Sequence, residues 1–230
     1  MNILKTYAAI FPLPIINTMM IKYFGQKEKM IPIILLKKKT KTPVKDKKKN
    51  KIIQTGYEVF AEVGYHAAST PLIAKRAGVS TGILYSYFSD KRDILLHVLR
   101  IYVDNVQKPF AKIIDEINSP VDYDKLVADF LDTTIQIHTD NCHMHNTLHA
   151  LAVSDKDVND EFLRLEDNIS DSLFCKLTSV GESAENLKEK IHLAMNAIQS
   201  FAHEYIYDKH SYLNYSEMKT IVKNMVVALF

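Results

Sequence analysis

Glycine and proline are scarce in this chain, six and seven among 230 residues. Loop-rich and all-β proteins carry more turn formers, so the shortage favours helices. Cysteine is scarcer still. Cys142 and Cys175 are too few for a disulfide framework and suit a reducing compartment, so the expected location is the cytoplasm. No uninterrupted run of about 18 apolar residues occurs, so neither a spanning helix nor a membrane partner is expected. Also missing are a nucleophile motif, a glycine-rich phosphate loop and a paired-carboxylate arrangement. The expectation is therefore no enzyme and no cofactor.

What is present is a 47% hydrophobic chain, enough for one large domain or two small ones. The net charge of +2 is unevenly placed. Residues 37–51 hold nine lysines and one aspartate, whereas residues 101–230 hold eleven basic and twenty-one acidic groups. A basic front and an acidic back suit a protein that touches a polyanion at one end. Charge alone leaves open a lysine-rich tail on an ordinary acidic domain.

Residues 1–36 are apolar from Tyr7 to Ile21, interrupted by Pro12 and Pro14. A signal peptide would need a small-residue cleavage site, and a lysine run behind it hinders export. The simpler reading is a weakly ordered, lysine-rich extension over residues 1–46, with Met30 a candidate initiator. The dense lysines of 37–51 repel one another, which favours disorder. They read either as a solvated linker or as an arm that grips DNA phosphate nonspecifically. A membrane anchor in residues 1–36 is a rival that fractionation would detect.

From Ile52 the pattern turns helical. Ile52, Ile53, Tyr57, Phe60, Ala61 and Tyr65 form one apolar stripe, and Gly64 is a natural stop. Ser69 caps a short helix through Ala77, with Pro71 in its first turn. Gly78 ends it. Ser80 caps the next helix, from Thr81 to Tyr87 or Phe88. Asp90 caps a fourth, with Asp93 as the reciprocal acid of a capping-box-like pair. Further helices are expected over about 121–139, 143–153, 155–178, 185–208 and 216–230.

The informative stretch is LIAKRAGVSTGILYSYFSDKRDIL, residues 72–95. Two short helices joined by Gly78–Val79–Ser80 meet at a steep angle, and Ile73, Ala74, Val79, Leu84 and Phe88 can share a small core. That leaves the start of the second helix free to enter a major groove. Ser80, Thr81 and Ser86 offer hydrogen-bonding groups, Gly82 permits close backbone approach, and Tyr85 can set a hydroxyl on a phosphate. Lys91 and Arg92 add positive charge.

On IIQTGYEVFAEVGY at 52–65, IAKRAGVS at 73–80 and GILYSYFSDK at 82–91, the chain resembles the TetR family of one-component regulators. The resemblance implies base or groove contacts from Thr81, Gly82 and Ser86, and phosphate contacts from Thr70, Tyr85 and Lys91. Tyr87 and Phe88 pack, with Tyr87 able to reach a phosphate. Family members often carry Lys or Arg in place of Thr81, and alanines in place of Thr55 and Gly56. Glycine inside a helix costs about 1 kcal/mol relative to alanine, so a slightly weak first helix is expected.

The expected fold is thus all-α: a three-helix helix-turn-helix domain over residues 47–97, joined to a helical ligand-binding and dimerisation domain over 98–230. The resemblance implies a homodimeric repressor that binds a pseudo-palindromic operator in double-stranded DNA and leaves it on binding a small-molecule effector. It places the dimer interface on 185–208 and 216–230, whose apolar stripes could equally be internal core. Tyr102, Phe110, Phe130, Ile137, Met144, Leu148, Phe162 and Phe174 are candidate pocket residues, each more simply read as core. The residues that bind the effector are left unknown. His145 and His149 lie four apart on one face, but no zinc-finger or HExxH pattern surrounds them, so no metal is expected. Both cysteines are expected to be buried as small apolar side chains.

Overall fold

A computed structural model describes residues 44–230, with side chains from Lys47 onward. The expectations for residues 1–43 lie outside the described residues. Among those described there are nine helices and no strand.

The first, α1 (Val44–Ala67), breaks at Gly64, where φ is +76°. That backbone conformation favours glycine. The helix starts inside the lysine run rather than at Ile52. Lysine is a good helix former in its own right, and Ile52 and Ile53, both buried, anchor the helix just behind it. Then come α2 (Thr70–Ala77) and α3 (Thr81–Tyr85). The latter stops two to three residues short of its expected end.

The longer α4 (Lys91–Asp115) leads into a bundle of α5 (Tyr123–Asp140), α6 (Cys142–Ala152), α7 (Lys156–Ser179), α8 (Leu187–Tyr207) and α9 (Tyr215–Val227). These lie within two or three residues of the spans read from the sequence. Side-chain caps start most of them. Asp122 accepts from the Lys125 amide at 2.9 Å, Asp155 from Asp157 at 3.0 Å and Asn214 from Ser216 at 3.1 Å.

Within this unit α1 packs on α2, α4 and α6, while α4 packs on α5 and α7, α5 on α8 and α9, and α7 on α8. Phe60, Ile73, Leu84, Phe88, Ile94 and Leu95 are fully buried in the front half, and Leu131, Met144, Leu148 and Leu177 in the back. Gly56 earns its place here: a Cβ on it would stand 2.7 Å from the Ile94 Cγ2 methyl. The cysteines depart from expectation, since Cys142 is half-buried and Cys175 exposed. On α7 the buried positions are Val158, Leu165, Ile169, Leu173 and Leu177. Cys175 falls between the last two, on the opposite face.

Candidate nucleic-acid interface

The geometry of α2 and α3 follows from three local devices. Ser69 caps α2 by accepting from the Leu72 amide at 3.4 Å. Gly78 closes it in the left-handed conformation, φ +67°, with its amide on the carbonyls of Ala74 and Lys75. Ser80 then caps α3 by accepting from the Ile83 amide at 3.3 Å. Ile73, Ala74, Ala77, Leu84 and Phe88 are buried beneath, and Val79 packs against them.

The other face of α3 is open. Ser80, Thr81, Gly82, Tyr85 and Ser86 are all exposed, and a Cβ on Gly82 would meet nothing closer than the Ser80 hydroxyl at 3.9 Å. Ser86 spends its own proton on the Ile83 carbonyl at 2.7 Å. Tyr87 is half-buried against the core. The Tyr85 ring is 53% exposed, and its hydroxyl lies 2.8 Å from the Thr70 hydroxyl. Thr70 itself is buried at 8% exposure. The two side chains therefore join the start of α2 to the end of α3, and Tyr85 carries the accessible end of the pair.

Lys91 sits differently from the exposed serines. It is half-buried, and its ammonium donates to the carbonyls of Tyr65 at 2.7 Å and Ala68 at 2.9 Å, over the Tyr65 ring at 4.3 Å. This ties the first turn of α4 to the end of α1. Asp90 caps α4 through the Asp93 amide at 2.8 Å. In return the Asp93 carboxylate accepts from the Ser89 amide at 3.0 Å, one residue earlier than a capping box would place it. Arg92, expected to add charge to this face, instead bridges to the back half. Its guanidinium donates to Asp155 at 2.9 Å and Asp157 at 2.7 Å. Burial alone would raise the Asp155 carboxyl, but the Arg92 contacts and two backbone amides hold it below its ordinary range.

Positive charge near α3 comes from residues that the motif reading passed over. Lys47, Lys48 and Lys51 are exposed on the first turns of α1. The Lys51 ammonium lies beside the α2–α3 turn, 3.5 Å from where a Gly78 Cβ would stand. Only their place in the lysine run hinted at them. Arg76, also exposed on α2, forms a bidentate ion pair with Glu62.

Residues 52–98 match the family model described as bacterial regulatory proteins, tetR family. This segment belongs to the TetR family. Relatives align over the same part. The transcriptional activator FasR of Mycolicibacterium smegmatis is 44% identical over 62 residues, 27% of this chain and 28% of its own length. The fatty acid metabolism regulator protein of Bacillus subtilis is 47% identical over 49 residues, 21% of this chain and 25% of its own. The chain thus spans about a fifth to a third of the length of the curated relatives it matches. Solved structures extend the likeness in fold to the back half. A TetR-family regulator of Mesorhizobium loti superposes with TM-score 0.65 at 16% identity, covering 82% of this chain and 97% of its own. The fatty acid degradation regulator FadR of Bacillus halodurans gives TM-score 0.54 at 19% identity, with the same coverage.

The TetR-family segment is fastened to the rest at two further points. The Tyr57 hydroxyl donates to Asn141 Oδ1 at 2.9 Å, and the Thr147 hydroxyl to the Phe60 carbonyl at 3.4 Å. Behind it, a cavity of about 80 Å³ lies between α4, α5, α6, α7 and α8. Tyr102, Phe110, Ile137 and Phe162 of the candidate pocket residues line it. Phe130, Met144, Leu148 and Phe174 pack elsewhere, the first three buried in the core. No group of three or more metal-ligating side chains among the described residues could hold a metal ion, and no described helix is long and apolar enough to cross a membrane.

Proposed function

We propose that this protein is a DNA-binding transcriptional regulator, a homodimeric repressor that leaves its operator when a small molecule enters the back half. The observation that carries the reading is the exposed face of α3. Its hydrogen-bonding groups and a side-chain-free Gly82 stand on a helix whose other side is fixed in the core. Such a helix can lie in a major groove, where side chains read base edges. In this proposal Ser80, Thr81, Gly82 and Ser86 face the bases. The Thr70–Tyr85 pair and Tyr87 face phosphates, and Lys91, held on the carbonyls at the end of α1, adds its charge at the start of α4. Lys47, Lys48 and Lys51 would add nonspecific attraction to the backbone.

The dimer is supported by apolar side chains that the monomer leaves uncovered on the last two helices. Leu193 on α8 is 57% exposed, and Ile221 and Met225 on α9 are 64% and 53% exposed. A two-fold pair would present two α3 helices to successive major grooves, roughly 34–36 Å apart, which calls for a pseudo-palindromic operator. A ligand shifts such a protein off DNA only by binding the two states with different affinity.

The test is selection of bound sequences from a random duplex library at physiological salt. A palindromic motif should emerge, and it should be lost on replacing Gly82 and Tyr85. Binding without sequence preference, abolished by changing the lysines of residues 37–51 to glutamine, would overturn the reading and leave the lysine run as the DNA contact. A reporter placed behind the selected motif then distinguishes repression from activation, the role in the name of the Mycolicibacterium relative.

A further inference from the structure

The cavity between α4 and α8 is lined mainly by apolar side chains, including Val106, Phe110, Ile137 and Phe162, with Ser170, Asn196 and the imidazoles of His138, His145 and His149 among the polar ones. The rings of His145 and His149 lie 4.0 Å apart and those of His138 and His145 4.3 Å apart. His145 is 2% exposed. Its Nδ1 is 2.8 Å from the Tyr102 hydroxyl, and its Nε2 is buried with no hydrogen-bond partner among the described residues. Buried polar atoms are almost always paired, so an orphan on a cavity wall asks what completes it.

The tautomers follow from the partners. The Tyr102 phenol is the stronger donor and has His145 as its one acceptor among the described residues, so it donates to Nδ1 and leaves the proton on Nε2. His138 donates from Nδ1 to the Thr134 carbonyl at 2.8 Å. Its Nε2 is then an acceptor, which the Gln199 amide approaches at 3.5 Å. Among the described residues the His145 N–H is thus the one fully buried side-chain donor left unmet.

Charge narrows the ligand. No lysine or arginine lines the cavity, whereas the Glu166 carboxyl does. Burial first, and then repulsion from neighbouring imidazoles, hold His145 and His149 neutral, the latter pushed down to about 4. An anion buried here would meet no lysine or arginine to compensate it. A cation could pair with Glu166 but would leave the His145 N–H unmet.

We propose that the cavity binds a small uncharged molecule, apolar in body, whose carbonyl oxygen accepts a hydrogen bond from His145 Nε2. This deepens the effector reading above and rests on it for any consequence at the DNA. The experiment is titration calorimetry of the full chain with three probes of similar shape: acetophenone, ethylbenzene and benzoate. Imidazole ¹⁵N spectra are recorded alongside. Acetophenone should bind about tenfold tighter than ethylbenzene, the ratio one net hydrogen bond supplies. Benzoate should bind more weakly than acetophenone, and the His145 Nε2 resonance should move on saturation with the ketone. In His145→Phe the acetophenone-to-ethylbenzene ratio should fall to about one. If that variant does not fold, the wild-type resonance decides.

Equal binding of ketone and hydrocarbon, preference for benzoate, an unmoved His145 resonance, or no binding by any probe would each overturn the proposal. Anisotropy of a labelled selected duplex, read in the same samples, separates the two readings. Ketone binding at His145 with unchanged DNA affinity would uphold the site and count against effector-controlled release.

Discussion

At Gly56 the missing side chain sets how closely α1 approaches α4. From the sequence alone this glycine reads as a weak point, one that alanine would repair by about 1 kcal/mol. The Ile94 methyl 2.7 Å from its would-be Cβ reverses the sign. Ile94 is fully buried and cannot swing away, so Gly56→Ala should destabilise the fold by about 1–3 kcal/mol through overpacking. Urea unfolding of the two proteins measures it. His149 makes a prediction in pH. Burial lowers its folded value from 6.5 to about 4, so the unfolded chain binds the proton more readily between those values. Stability should then fall as pH drops from 6.5 towards 4, by on the order of 1–3 kcal/mol from this residue. His149→Phe should flatten that slope in unfolding curves at pH 7 and 5.

Among the helices, local chemistry was legible and long-range partners were not. Ser69, Ser80 and Asp90 cap where the sequence places them, because a cap needs only its own next three residues. The exposed face of α3 was legible for the same reason. Lys91 and Arg92 were harder, since their partners are 23 to 65 residues away. The start of α1 was hidden too, because lysine composition reports charge and not the helix that Ile52 and Ile53 nucleate behind it. Lys91 is best tested at this scale. Removing its ammonium strips the last carbonyls of α1 of a charged donor, an interaction worth about 1.5–3 kcal/mol. Lys91→Met should therefore lower the melting temperature and speed hydrogen exchange at the end of α1. Unchanged exchange there would mean that the tie contributes nothing.

For the whole molecule, the apolar stripes on the last two helices divide between two roles. Ile191, Ile198, Phe201 and Val226 are spent on the core, while Leu193, Ile221 and Met225 are left outside. Helical spacing could reveal the stripe but not this partition, which depends on how α5 covers α8 and α9. Ile221→Glu with Met225→Glu should yield a monomer by light scattering with its helical content intact. Loss of specific DNA binding should follow, because one α3 reads only half of a two-fold site. A double variant that remains dimeric would move the interface elsewhere.

One rod crosses both halves of this molecule. α4 carries Lys91 at its front end and sets Tyr102, Val106 and Phe110 against the cavity. Lys91 and Tyr102 are separated by about 16 Å of helix at 1.5 Å per residue. With the fulcrum at Tyr102, a tilt of about 5° sweeps Lys91 through about 1.4 Å, more than the whole range of good hydrogen-bond lengths. On the proposed function, a displacement too small to notice beside His145 would thus decide, at the far end of the lever, between register and miss.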